Sequence, residues 1–260
     1  MEEYMISVIT PSFNQAAYLN KSIQSVLAQK YPNFEHIVID GGSTDASLDV
    51  LNAFPHLIWI SETDNGQAHA VNKGFRMAGG DIIGWLNSDD TYTEGTFHKV
   101  NNIFRRDTQI DFIFSNCFIV NGDGHVVGFL QGKNPENYNV LDHTNFIPQP
   151  TVFFRKHILQ KTGFLHEAYH LSMDFDYWRR VSRNHKMKYV DDEVFACFRL
   201  HNHSKTHHNR KKFKHESKLS FFQQGGSIFS PYYFETFIKP FLLAFFVYNP
   251  LTRRLFFRRR

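Results

Sequence analysis

Cysteine is nearly absent from this chain. Its 260 residues include two, Cys117 and Cys197, and their spacing fits neither a metal knuckle nor a disulfide framework. Free thiols in a reducing compartment are expected. Long apolar runs are missing as well. The longest, residues 241–248, falls well short of the roughly 20 residues that a membrane-spanning helix needs. Neither Gly-x-Gly-x-x-Gly nor a Walker loop is present, so dinucleotide fingerprints and phosphate loops are excluded. There is no internal repeat and no low-complexity linker. The acidic opening Met1-Glu2-Glu3-Tyr4 runs straight into an apolar stretch and lacks the pattern of a secretory leader. A cytoplasmic setting is the expectation.

What is present supports a packed core. Hydrophobic residues make up 42% and charged residues 21% of the chain, which suits one large domain or a domain with an appendage. The 28 Phe residues gather toward the C-terminus. Net charge is +4, but cations cluster at Arg210, Lys211, Lys212, Lys214 and Lys218. They cluster again at Arg253, Arg254, Arg258, Arg259 and Arg260. Such clusters mark anionic partners or a solvated tail. Nucleic acid is not expected, because the nearby aromatics form apolar groups rather than spaced stacking platforms.

The first ninety residues alternate between strand and helix patterns. Residues 5–10 form a β-rich apolar run that Pro11 is expected to stop. A helix is predicted over 15–29, a strand over 34–40, and a helix capped by Ser43 or Thr44 through 53. A strand over 57–60, a helix over 66–77 and a strand over 81–86 complete the series. This rhythm predicts a mostly parallel sheet of Rossmann-like type. Beyond it, helices are expected over 93–105, 156–162 and 174–184, and extended segments over 111–120, 126–130, 151–154 and 188–199. From residue 216 the composition changes, so a domain of residues 1–215 and a segment of residues 216–260 are expected. That segment reads as one lying in a membrane interface, with its arginines on anionic headgroups, or as one packing on a second copy of the chain.

Three strand ends carry polar clusters. Thr10-Pro11-Ser12-Phe13-Asn14 ends the first strand and Asp40-Gly41-Gly42-Ser43-Thr44-Asp45 ends the second. Ile82-Ile83-Gly84-Trp85-Leu86 runs into Asn87-Ser88-Asp89-Asp90. An open α/β sheet binds ligands at such a carboxyl edge. Paired carboxylates there can hold a hard divalent cation, and the cation a diphosphate. Ordinary turn and helix-start chemistry explains each cluster singly, and Asp45 reads best as a helix-start charge. Asp174 opens a helix and can serve as its N-cap.

Together with Gly66 and Ala70-Val71-Asn72-Lys73-Gly74-Phe75, and with Asp174-Phe175-Asp176-Tyr177-Trp178, these clusters resemble the family 2 glycosyltransferases with a GT-A fold. The resemblance spans residues 5–204. It implies an α/β fold with a mostly parallel central sheet flanked by helices, followed here by an aromatic and basic extension. It implies that Thr10, Pro11, Ser12, Asn14, Asp40 and Ser88 contact the nucleotide. The acidic cluster corresponds to the family's DxD motif, with Asn87 where the first Asp often stands. Metal ligation by Mn2+ or Mg2+ then falls on Asp89, with Asp90 sharing it or touching the sugar, and His201 as a third ligand. Asp174 corresponds to the general base, with Met173 where the family usually has Glu, and Asp176 ranks as a substitute. Asn87, Asp176 and Trp178 are candidates for contacts to the donor or acceptor sugar. Lys73 and Arg76 could reach phosphate but read better as solvated surface.

The family's processive synthases carry Gln-x-x-Arg-Trp and long membrane spans. Both are missing, so one sugar per encounter is implied. The expected reaction is inverting transfer from a nucleotide sugar, a UDP-sugar by preference, to a glycan or lipid-linked glycan at the inner membrane face. A nucleotidyltransferase and a non-catalytic membrane-associated protein of the same fold remain as alternatives.

Overall fold

The structure is a computed structural model and describes residues 3–135, 145–201 and 210–239. Its amino-terminal half lays down the parallel part of one sheet. The connecting segments are α1 (Ala16–Leu27), α2 (Ser47–Asn52) and α3 (Gln67–Met77). Strands β1 (Ile6–Ser12), β2 (Phe34–Asp40), β3 (Leu57–Ser61) and β4 (Ile82–Trp85) pair in the order β3-β2-β1-β4, all parallel. Their Ile- and Val-rich runs suit strands covered on both faces.

The rest of the sheet is mixed. After β5 (Thr91–Tyr92) and α4 (Thr96–Arg106) come β6 (Phe112–Val120) and its hairpin partner β7 (Val126–Leu130). A 3-10 turn (Gln149–Thr151) leads into β8 (Phe153–Arg155), which enters antiparallel between β4 and β6. Helices α5 (His157–Thr162) and α6 (Met173–Val181) follow, then β9 (Met187–Arg199), parallel to β6 and antiparallel to β5. The parallel expectation therefore holds for β1–β4 and for β6 with β9, while β8 makes the whole a mixed α/β sheet. β5 was not foreseen, because two residues are too few to show an alternating pattern.

Pro11 does not stop β1. The strand continues to Ser12, whose carbonyl accepts from Gly41 N–H, while the Ile9 carbonyl accepts from Leu86 N–H. Alternation along a parallel ladder then directs the Pro11 nitrogen toward β4, whose last paired residue, Trp85, faces Ile9. The missing donor costs nothing there. Helix α2 starts later than expected because Ser43 and Thr44 bond other loop atoms, described below.

Beside a smaller apolar cluster of Leu19, Ile23, Val38 and Leu51, two large ones flank the sheet. One joins Ile9, Trp85, Phe112, Phe154 and Trp178 to Phe221 and Tyr232, and the other joins Val8, Phe97, Phe104, Ile113 and Phe195. Phe221 lies in α7 (Arg210–Gln223), and Tyr232 in the short α8 (Pro231–Tyr233) that a π-helical turn (Phe234–Ile238) continues. Helix α7 thus crosses the expected boundary at residue 215 without a seam, and residues 216–239 pack on the sheet body. Residues 240–260, which carry the rest of the expected interface segment, lie outside the described residues. Among those described, no helix is long and apolar enough to cross a membrane. Cys117 and Cys197 are both free thiols.

Candidate active site

The carboxyl ends of β1, β2 and β4 open on a cleft of about 730 Å3. Pro11, Ser12 and Asn14 line it from β1, and Asn87, Ser88 and Asp89 line it from the loop after β4. Asp174, at the start of α6, faces the same space. Ser12 Oγ is buried there with no hydrogen-bond partner, a donor waiting for a ligand atom.

The first two loops are tied to each other. Asn14 adopts a left-handed backbone, φ 52°, which Asn tolerates better than most residues. Its amide N–H donates to Ser43 Oγ at 2.7 Å, and its side-chain oxygen accepts from Thr44 N–H at 2.8 Å. Asp40 organises the second loop from below. Fully buried, it accepts from the Ser43 N–H (2.8 Å), the Gly42 N–H (3.1 Å), Ser43 Oγ (2.5 Å) and Ser61 Oγ (2.7 Å). Asp45 accepts from Ala16 N–H and Ser47 N–H, at the starts of α1 and α2, and these bonds hold its carboxyl below the usual range despite desolvation. Gly41 allows the approach of Asp64, since a Cβ at Gly41 would sit 2.7 Å from Asp64 Oδ2.

The acidic loop divides its carboxylates. Asp89 faces the cleft, and its Oδ2 lies 3.1 Å from His201 Nε2. The His201 ring lies tilted against Tyr18, 4.6 Å between centroids. Asp90 is wholly buried and turned away, bonded to Arg199 N–H at 2.9 Å and Asn87 Nδ2 at 3.3 Å. Burial first, then the neighbouring Asp89 charge, pushes the Asp90 carboxyl well above the usual carboxylate range. Asn87 is a hub: its oxygen accepts from Gln67 Nε2 (2.8 Å) and Trp85 Nε1 (3.1 Å), and its Nδ2 also donates to Gln149 Oε1 (2.8 Å). An Asp at this place could accept but could not donate to Asp90 and Gln149.

Burial likewise raises the Asp174 carboxyl to about 6, against the Phe175 N–H at the helix start and Asn145 Nδ2 at 3.3 Å, which favour the ion. A carboxylate with that affinity for protons suits base catalysis near neutrality. Helix α6 is anchored from the far side. Glu216 on α7 accepts from the backbone N–H groups of His170, Leu171 and Ser172 at 3.1, 2.8 and 3.1 Å.

Other expected site residues do not reach the cleft. Thr10 is buried beneath it, with Oγ1 2.9 Å from His36 Nε2. Trp178 is fully buried against Phe112, 5.0 Å between centroids, so its ring has no face for a sugar. Asp176 is fully buried and bonded to Ser220 Oγ, Arg180 Nε and His166 Nδ1; it holds α6 to α7. Lys73 pairs with Glu62, and the Arg76 guanidinium lies over the Phe164 ring at 4.6 Å. The sequence reading missed Asp64, Gln149, His170 and Phe213, which all line the cleft. The Asp64-Asn65-Gly66 turn signal was available for the first. Phe213 stands among the cations of the cluster at residues 210–218, which reads as an anion-binding or solvated stretch.

A cation fits this site by charge. Asp64, Asp89 and Asp174 all line the cleft, and a diphosphate would be repelled from three carboxylates without a compensating positive ion. Asp89 and His201 present oxygen and nitrogen side by side. Asp90 lies beneath them.

These features agree with comparisons to known proteins. The model of "Glycosyl transferase family 2" matches residues 7–164, and the chain belongs to that family. An uncharacterized glycosyltransferase of Rickettsia typhi is 26% identical over 205 residues, 76% of this chain and 64% of that protein. The putative teichuronic acid biosynthesis glycosyltransferase TuaG of Bacillus subtilis is 27% identical over 208 residues, 77% of this chain and 81% of that one. The chain thus spans somewhat less than two thirds of the Rickettsia relative. Among solved structures, Staphylococcus aureus TarS 1-349 in complex with UDP-GlcNAc superimposes with a TM-score of 0.68 at 18% identity, covering 83% of this chain and 65% of that one. The mannosyltransferase PcManGT of Pyrobaculum calidifontis, in complex with GDP-Man and Mn2+, gives 0.63 at 18% identity, covering 86% and 65%. These likenesses establish the GT-A fold.

Proposed function

We propose that the protein is an inverting, non-processive glycosyltransferase that moves one sugar from a nucleotide sugar, a UDP-sugar by preference, to a hydroxyl of a glycan or lipid-linked glycan. The observation that carries this reading is the facing of Asp174, with its raised proton affinity, and Asp89 across one cleft at the sheet's carboxyl edge. The TarS complex with UDP-GlcNAc and the TuaG resemblance support a UDP-sugar and a cell-envelope polysaccharide setting.

Ser12 and Asn14 bind the nucleotide from the β1 loop, with Pro11 and Ser88 forming the walls. Asp40 acts on it through the loop it braces, and Thr10 from beneath, through the β1–β2 core. Asp89 and His201 would hold Mn2+ or Mg2+, with Asp90 buried beneath them. The cation, when bound, supplies positive charge against the departing diphosphate. Asp174 takes the proton of the acceptor hydroxyl. That oxygen attacks the anomeric carbon from the face opposite the diphosphate, the new C–O bond forms as the old one breaks, and the electron pair leaves with the diphosphate. One displacement inverts the centre. Asn87 positions Gln149 and Gln67 at the cleft wall.

The test is a panel of nucleotide sugars with Mn2+, read by thermal stabilisation and by nucleoside diphosphate release. Wild-type protein should be stabilised by one donor and release its diphosphate. Asp89→Ala should lose the stabilisation. Asp174→Asn should keep it and lose transfer by about a thousandfold or more. Transfer by Asp174→Asn at near the parent rate would sink the base assignment. Absence of stabilisation by every donor would favour the non-catalytic alternative.

A further inference from the structure

A second group of ligand-type side chains lies at the opposite edge of the sheet. Asp111 precedes β6, His157 opens α5, and His185 follows α6. Lys156 N–H bonds the Asp81 carbonyl at the amino end of β4, whereas Asp89 follows its carboxyl end. The strand's four residues alone set the two places more than about 13 Å apart. Nothing in the proposed transfer reaction uses this group.

Its geometry is that of converging ligands. Asp111 Oδ1 lies 2.9 Å from His157 Nε2, and Asp111 Oδ2 lies 3.0 Å from His185 Nδ1. One ligand atom from each residue lies within 4.8 Å of the others, the only such trio of His, Cys, Asp or Glu among the described residues. A tetrahedral ion with bonds of about 2.1 Å needs its ligands roughly 3.4 Å apart. The three ligand atoms lie within 4.8 Å of one another, so a swing of up to about 1.4 Å at the half-exposed His157 would meet that. The His185 side chain is 0% exposed, and its far nitrogen, Nε2, sits 3.1 Å from Thr162 Oγ1. A hydrogen bond of this kind, Nε2–H to Thr162, fixes the ring and leaves Nδ1 as a lone-pair donor, as outer partners do for metal-bound imidazoles. Two imidazoles and one carboxylate with a solvent-facing side suit zinc better than magnesium or calcium.

We propose that Asp111, His157 and His185 form a zinc site, with water as the fourth ligand, that staples the start of β6, the start of α5 and the turn after α6. The site is independent of the nucleotide cleft and binds Zn2+ without donor or acceptor.

The competing arrangement is metal-free. Each imidazole would donate an N–H to one Asp111 oxygen, and the Thr162 hydroxyl would donate to His185 Nε2. Chelator-stripped full-length protein titrated with ZnCl2 by calorimetry separates the two. His residues at 201–208 and Asp89 can also take zinc, so the comparison is between proteins that share them. Wild-type and Asp89→Ala protein should each bind one equivalent that His157→Gln lacks or binds at least a hundredfold more weakly. His157 is 37% exposed, so the variant should fold, and its zinc-free melting curve should match the parent's. Equal stoichiometry and affinity in wild type and His157→Gln overturns the proposal. A second reading avoids the variant altogether. Co2+ added to Asp89→Ala protein should give the strong visible bands of a four-coordinate site, and weak octahedral-type absorption alone overturns it as well.

Discussion

Asp174 sits where its charge is costly to keep. Its carboxyl is raised to about 6, mainly by burial. The folded protein therefore holds that proton more tightly than the unfolded chain does, where the ordinary value of 3.8 applies. The charge costs stability above about pH 6, and the cost fades as pH falls toward 4 and the group is protonated in both states. Asp174→Asn should accordingly raise the melting temperature at pH 7, by a free energy on the order of 1–2 kcal/mol after allowance for partial exposure. The gain should shrink to nothing near pH 4. Catalysis should run the other way. Transfer needs the ion, so kcat/KM should fall about tenfold per pH unit below about pH 6. A pH–rate profile beside a melting series checks both, and a variant less stable than wild type at pH 7 would contradict the burial argument. At this scale the sequence marked which polar residues end strands and open helices, and was a poor guide to orientation. Asp89 and Asp174 stood out by their place after an apolar run and at a helix start. Nothing in the spacing told that Asp90 would turn inward, or that Asp40 would be bonded to its own loop and to Ser61 at the end of β3. Those outcomes depend on which way a side chain leaves a turn.

Helix α7 was the element read least well, and it bears most on the base. Basic residues at its start and aromatics at its end suggested an appendage. In the fold its buried stripe carries Glu216, Ser220 and Phe221 against α6, and Phe213 lines the cleft. The stripe was hidden by the cations that share its helix, a case of long charged side chains on the outer face masking an inner one. Glu216 is the pin of this contact: three N–H groups just ahead of α6 end on one of its oxygens. Glu216→Ala would strand those donors at a cost of about 1–3 kcal/mol, and Glu216→Gln would restore part of it, since an amide oxygen still accepts. Because residues 170–172 lead directly into Asp174, the alanine variant should lower kcat by tenfold or more while leaving the donor KM within about twofold. A proportionate loss in donor binding would instead mean that α7 shapes the nucleotide pocket. Two strands were legible for the opposite reason. β2 and β7 match their expected limits residue for residue, since short apolar runs between polar turns have few other readings.

The whole molecule presents one face that the sheet does not use. Ile228, Phe229, Phe234 and Ile238 are exposed on the final turns, Phe229 at 91%, and they lead toward residues 240–260 with their apolar run and arginines. Exposed apolar side chains followed in the sequence by cations suit a bilayer interface rich in anionic lipid. Separating this surface from the fold requires a cut in the right place. Ending the chain after Glu216 removes Phe221 and Tyr232 from the core, and loss of one buried Phe alone costs about 3–5 kcal/mol. That truncation should unfold or melt far lower, so its absence from membranes would mean nothing. Ending it after Lys239 keeps every described contact. The shortened protein should melt within a few degrees of the parent and keep donor binding, yet fail to sediment with vesicles containing phosphatidylserine, while the parent binds them and is released by salt. Sedimentation of both proteins alike would place the attachment in the described body. A fall in molecular mass on truncation, with no vesicle binding by either form, would assign residues 240–260 to a contact between copies of the chain.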